Sequence, residues 1–204
     1  EHLWLSKPDC VIRNNLFVNG AEGSVRVGSG NTLENNIFVN HHLRTVVVQR
    51  GFGNAPIVLR NNTFAFAWDI RFGQGNGRNG HLLSIENGVN AIIDNNIFEF
   101  ADNDAIRLMA APGDVELTNN TFNHNLWSNV MRPQENATVD DKTFGQLKDL
   151  KFKKLAGNQV ISAGLPVDQE FFDIYLNRTA YVPGKVTMDD WNQLRELMGL
   201  NLIA

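Results

Sequence analysis

One cysteine, Cys10, in 204 residues leaves no intrachain disulfide to staple the fold. No apolar run approaches the roughly 20 residues that cross a bilayer as a helix. The opening residues also lack the charged, apolar and small-residue succession of a secretory signal. Basic tracts are missing, which argues against nucleic acid as a partner, and so is a long acidic tail. The formal net charge is −4, with acids and bases interspersed. Lysine is scarce in one part only: six of the seven Lys follow Pro133, whereas 22 of the 27 Asn precede it. This shift places a domain boundary near Pro133, giving segments 1–132 and 133–204.

What the first segment has is a motif, Asn-Asn-x-Phe, five times. The copies begin at Asn14, Asn35, Asn61, Asn95 and Asn119, so the intervals are 21, 26, 34 and 24 residues (35−14, 61−35, 95−61, 119−95). Each follows a short apolar, partly alternating run, such as Ile57-Val58-Leu59-Arg60 or Ala91-Ile92-Ile93-Asp94. That is a strand entering a turn. Asn suits the turn because its side chain bonds nearby backbone and tolerates positive φ. A second strand recurs at Ser24–Val27, Thr45–Gln49, His81–Ile85 and Ala105–Leu108.

A fixed strand-and-turn phase at a period of roughly 20 to 50 residues marks a repeat architecture. The expected fold is all-β: a right-handed parallel β-helix over about residues 10 to 130. Phe17, Phe38, Phe64, Phe98 and Phe122 should be buried in register, and the Asn should form ladders between coils. A β-sandwich with Asn-rich hairpins is the competing fold, but its strands do not usually recur with one turn sequence at one phase. Solenoid ends need caps, and residue 1 enters almost directly into a coil. The segment 1–132 therefore reads as the C-terminal part of a longer solenoid, or as one whose first coil another chain covers.

Segment 133–204 should hold short helices that pack on or cap the solenoid: Lys142–Leu150, Asp168–Leu176, and Thr187–Gly199. In the last, Thr187 suits the N-cap and Gly199 the C′ position, and Trp191, Leu194, Leu197 and Met198 share a face. Within the solenoid the longest insertion, Ala67–Gly80, carries a Gly/Asn-rich run without the Lys-Ser/Thr and helix start of a phosphate loop, so it reads as a mobile surface loop. His41-His42 reads as part of another loop. Two adjacent His point different ways, and no metal site is assigned. No cofactor is specified; Ca2+ stands as a candidate that no residue pattern supports.

In a β-helix, inward side chains fill the core, so recognition falls to outward positions and loops. Aligning the pairs Val25/Val27, Val46/Val48, Leu83/Ile85 and Ile106/Leu108 as inward puts Arg26, Val47, Ser84 and Arg107 outward. Gly28, Gln49, Glu86 and Met109 lie one step further, flanked by Arg50, His81, His124 and Arg132. The substrate-binding candidates are Arg26, Gln49, Arg50, Trp68, Glu86 and Arg107. Arg pairs bidentately with carboxylate or sulfate, and aromatic faces stack on sugars.

The repeats resemble the right-handed parallel β-helix superfamily of carbohydrate-active proteins, which includes pectate lyases, alginate and chondroitinase B-type lyases and mannuronan epimerases. The resemblance covers about residues 10 to 130. It implies a secreted or cell-surface protein with a polysaccharide partner. The cadence of Ser24–Gly51 is similar to the alginate-lyase and chondroitinase B-type group. That group's catalytic Lys and Arg positions fall on Gly28 and Gln49, with Arg50 beside the latter, so the pair is not retained. The epimerases' Asp-Pro-His-Asp motif is absent.

Two functions follow. One is a lyase or hydrolase acting on an acidic glycan. In a lyase, Arg26 and Arg107 would neutralise a uronate while His81, His124 or Arg50 moved protons. In a hydrolase, Glu86, Asp69, Asp102 and Asp104 are the available carboxylates. The catalytic candidates are thus Arg50, His81, Glu86 and His124. The other function is a non-catalytic glycan-binding or surface-structural solenoid, as in adhesins and tailspikes.

Overall fold

The computed structural model describes residues 2–20, 23–51, 54–68, 80–125, 128–132, 137–139, 151–163 and Asp189. The chain divides into two compact units, Glu1–Gly164 and Leu165–Ala204. Of the second, Asp189 alone is described, in helical conformation. The helices expected at 142–150, 168–176 and 187–199 otherwise lie outside the described residues.

The first unit is a stack of coils. After β1 (Leu3–Leu5), each full coil supplies three strands. These are β2 (Val11–Arg13), β3 (Leu16–Val18) and β4 (Val25–Gly28), followed by β5 (Thr32–Glu34), β6 (Ile37–His42) and β7 (Arg44–Gln49). Next come β8 (Ile57–Arg60), β9 (Thr63–Trp68) and β10 (His81–Ile85), and then β11 (Ala91–Asp94), β12 (Ile97–Ala101) and β13 (Asp104–Leu108). The fifth coil is β14 (Val115–Thr118), β15 (Thr121–Asn125) and β16 (Ser128–Arg132), and β17 (Ala137–Val139) follows it. Finally β18 (Lys154–Ala156) and β19 (Gln159–Ala163) add a sixth rung to two of the sheets.

Equivalent strands of successive coils form three sheets: A (β1-β4-β7-β10-β13-β16-β17), B (β18-β14-β11-β8-β5-β2) and C (β19-β15-β12-β9-β6-β3). Every pairing among the described strands is parallel except β16 with β17. Hairpin-built sandwich sheets pair antiparallel, so this topology excludes that alternative. It is the architecture of a parallel β-helix.

Like side chains stack on like through the interior. Phe17, Phe38, Phe64, Phe98 and Phe122 are successive register partners. Their ring centroids stand 4.9, 4.9, 4.9 and 5.2 Å apart, with interplanar angles of 14° or less. That separation is the rung spacing of a parallel sheet, about 4.8 Å. Four of the rings are buried, and Phe17 is half-buried against the same core. Sheet B contributes Ile12, Leu33, Leu59, Ile93, Leu117 and Leu155 in one row. Sheet A contributes the expected Val, Leu and Ile pairs.

The corner between sheets B and C is the Asn pair. The first Asn of each copy takes left-handed φ: 57° at Asn14, 54° at Asn35, 57° at Asn61, 52° at Asn95 and 57° at Asn119. The second Asn builds the ladder. Nδ2 of Asn15, Asn36, Asn62, Asn96 and Asn120 donates to Oδ1 of the next coil's Asn at 3.0–3.1 Å, ending on Asn158. The backbone N–H of each donates to that same oxygen. The second Nδ2 hydrogen of Asn36, Asn62, Asn96, Asn120 and Asn158 returns to a strand carbonyl one coil back, at 2.8–2.9 Å. An amide has two donors and two acceptor lone pairs; the four inner amides, Asn36 to Asn120, use all of them.

Parallel pairing does not stop at the composition change near Pro133. Gly157-Asn158-Gln159-Val160 takes the place of Asn-Asn-x-Phe: Gly157 holds φ 68°, Asn158 closes the ladder and Val160 pairs with Phe122. Glycine adopts left-handed φ without penalty, and Val substitutes for Phe at the end of the stack.

Candidate functional site

Sheet A presents one row with the register Trp4, Arg26, Val47, Ser84, Arg107 and Met131. The expected alignment of Arg26, Val47, Ser84 and Arg107 is therefore the observed one. In the adjacent row Gly28 pairs with Gln49, and Glu86 follows in the next coil, its N–H donating to the Val48 carbonyl at 2.9 Å. The two rows are not uniformly open. Arg26 and Arg107 are half-buried, whereas Val47 is 2% and Ser84 0% exposed. Strand alternation gives the direction of a side chain and not what lies over it, so the closed middle of the row was invisible in the sequence.

At the start of the row the surface opens. Trp4, Leu5, Ser6, Gly28, Gln49, Arg50 and Gly51 line a cavity of about 250 Å3. Trp4 is 66% exposed and Arg50 exposed. Glu86 sits further along, 3.8 Å from the Arg44 guanidinium, both side chains more than a third exposed. At that exposure and distance the pair contributes little to stability.

The other candidates are placed differently. His81, the first residue of β10, is buried, with Nδ1 3.3 Å from Asp104 Oδ2. Ser128 Oγ–H donates to the other oxygen, Asp104 Oδ1, at 2.7 Å, and both residues are fully buried. The carboxylate thus stands between the hydroxyl and the imidazole. In a nucleophilic triad the imidazole stands between, so Ser128 is not activated here. Neither His81 Nδ1 nor Asp104 Oδ2 has a hydrogen-bond partner among the described residues. His124 is half-buried at φ 52° and stacks on Phe100, centroids 5.6 Å apart. Asp102 is buried and accepts from the Gly80 N–H at 2.8 Å. Trp68 belongs to β9, but its side chain, with Asp69 and most of the Ala67–Gly80 insertion, lies outside the described residues.

His41 and His42 end strand β6 rather than lying in a loop. The reason is positional: His41 continues the Ala67 row of sheet C. It is 0% exposed, and burial holds its pKa well down, to about 3. The neutral ring donates from Nε2 to the Phe17 carbonyl (3.1 Å) and accepts at Nδ1 from Ser24 Oγ–H (2.6 Å). Among the described residues no group of three or more His, Cys, Asp or Glu is arranged to hold a metal ion. No helix among them is long and apolar enough to cross a membrane.

The structure thus places Arg26, Gln49 and Arg107 on sheet A, with Arg50 and Glu86 just past the ends of β7 and β10, and it separates His81 and His124 from them by burial and stacking. The sequence reading missed Trp4 as a surface group. The signal was present: in Leu3-Trp4-Leu5, two inward Leu leave the Trp outward. It also missed Ser128 beside Asp104, a proximity that only the stacking of β13 on β16 creates. No family model, curated protein or solved structure matches this chain.

Proposed function

We propose that the chain is a right-handed β-helix of the carbohydrate-active kind, working outside the cell or at its surface, and that it holds an acidic polysaccharide along sheet A. The observation that supports this is the row itself. Arg26 and Arg107 share one register three rungs apart. At about 4.8 Å per rung, the two guanidinium groups flank the closed middle of the row, so each would meet a different sugar of one chain passing over it. Guanidinium groups pair bidentately with carboxylate or sulfate, and Arg50 adds a third cation where the surface opens. In a lyase on this face, Arg26 or Arg107 neutralises the uronate and Arg50 or Glu86 takes part in proton movement. The second reading, a non-catalytic glycan-binding solenoid, draws support from His81 and His124, which are respectively buried on Asp104 and stacked on Phe100.

The test combines binding and turnover. The chain is incubated with acidic and neutral polysaccharides while the absorbance of unsaturated products and the yield of reducing ends are followed; product assigns the first reading, binding without product the second. Arg26→Ala with Arg107→Ala should weaken retention of acidic glycans at low salt. Unchanged, salt-independent retention removes this face from consideration.

A further inference from the structure

The cavity at the start of the sheet A row has features that the row as a whole does not. Its floor is main chain. A Cβ added to Gly28 would stand 3.1 Å from both Gly51 Cα and the Ser6 carbonyl oxygen. One added to Gly51 would stand 2.7 Å from the Ser29 nitrogen. These two glycines let three successive coils close up beneath the opening, and a side chain at either position would force them apart. One wall is the exposed indole of Trp4, and the other is Gln49 with Arg50. Among the described residues the lining holds one cation and no carboxylate, and Arg50 has no ion pair.

We infer that this cavity is a single-residue subsite for an acidic sugar. The ring's apolar face lies on Trp4, hydroxyls meet the Gln49 amide and Ser6, and the acidic substituent pairs with Arg50. The inference rests on the reading of sheet A as a glycan face and assigns one sugar of the bound chain to it. Size and charge select the occupant. At about 250 Å3 the cavity is smaller than the roughly 300–1,000 Å3 of sites for drug-sized ligands, so it takes one ring and not a disaccharide. An aromatic wall offers an apolar plane with little entropy to lose on binding. An exposed guanidinium facing no carboxylate favours an anion, carboxylate or sulfate alike.

The experiment titrates the chain with an oligouronate, a sulfated neutral-sugar oligosaccharide and an uncharged oligosaccharide of the same length, by calorimetry and tryptophan fluorescence. Trp4→Ala, Trp4→Phe and Arg50→Gln are compared. Trp4 and Arg50 are exposed, so the variants fold, and unchanged circular dichroism checks this. Arg50→Gln should weaken acidic ligands about tenfold, the loss of one charge-assisted contact, and leave the uncharged ligand unmoved. Trp4→Ala should weaken all ligands that bind, with Trp4→Phe restoring most of the affinity. Whether the oligouronate or the sulfated ligand suffers more from Arg50→Gln identifies the acidic group. If Arg26→Ala with Arg107→Ala abolishes binding while Trp4→Ala and Arg50→Gln leave it intact, the subsite is wrong and the glycan face stands. If the unaltered chain binds none of the three ligands, both fall.

Discussion

Two corners of this solenoid turn the chain through the same left-handed backbone conformation with opposite chemistry. Between sheets B and C, the turn residue is Asn in five coils and Gly in the sixth, and the ladder beside it leaves no amide group of its inner members unpaired. Where sheet C bends toward sheet A, just after β3 and within the last residues of β6, β9, β12 and β15, the left-handed residue is Asn19, Asn40, Phe66, Phe100 and then His124, at φ 60°, 58°, 58°, 64° and 52°. Phe is a poor choice for positive φ. Here its buried ring stacks on its neighbour, Phe66 on Phe100 at 4.6 Å and Phe100 on His124 at 5.6 Å, and packing overrides the backbone preference. On the sheet A side of this second corner lie the buried Asp104, His81 and Ser128, with two polar atoms unmatched. One corner repeats a solved problem, and the other varies from coil to coil. Departures from local rules concentrate where a fold serves something besides itself.

The comparison can be pressed by substitution. Phe98→Ala removes the fourth ring of a five-ring stack and should cost ~3–5 kcal/mol, the usual range for a large core cavity; urea unfolding measures it. Asn62→Ala strips the ladder of one rung, orphaning donors on Asn36 and an acceptor on Asn96. Each buried group left unpaired costs about 1–3 kcal/mol, so the two donors orphaned on Asn36 set a loss of at least roughly 2 kcal/mol. A loss under about 1 kcal/mol would show that water replaces the rung.

His41 supplies a pH test. Its pKa is lowered from 6.5 unfolded to about 3 folded. Between these values the unfolded chain binds a proton that the folded chain refuses. The stability His41 permits is therefore complete above about 6.5 and lost as pH falls toward 3. From about pH 7 to about pH 5 the loss should be roughly 2 kcal/mol, and His41→Gln should flatten it. Asn95→Ala keeps a Cβ at φ 52° but removes the short amide that favours this conformation and its bond to Asn61 Oδ1, and should cost ~1–2 kcal/mol, with Asn95→Gly cheaper because glycine adopts left-handed φ freely. Smallest is Asp104→Asn, which keeps the oxygen that accepts from Ser128 and changes only the side of the group that has no hydrogen-bond partner among the described residues. It should shift stability by under about 1 kcal/mol in either direction, where the equivalent insult to the Asn ladder is severe.

These corners also explain what could be read in the sequence. The B–C corner was legible because one geometry admits one residue type, so Asn and Phe recur as letters. The C–A corner obeys an equally strict phase, five residues after each first Asn (19−14, 40−35, 66−61, 100−95, 124−119). It has no common letter, because packing there and not propensity decides the residue. The sixth rung escaped for a related reason: Gly157 and Val160 satisfy the geometry with other letters. On sheet A, alternation located Arg26 and Arg107, but the burial of Ser84 and the opening beside Trp4 depend on neighbours from other coils.

The ladder does not count residues. Its rungs are joined by intervals of 21, 26, 34 and 24 residues (35−14, 61−35, 95−61, 119−95), and also of 38 (158−120), yet each amide meets the next at 3.0–3.1 Å. All of them point the same way along the axis, each handing its N–H to the coil that follows. A whole coil is therefore an exchangeable part. Excising residues 62–95 would bring Asn36 onto Asn96 with every bond of the junction re-formed. The chain can lengthen, shorten or vary the excursions that wall its sheets while the corner beneath them stays the same.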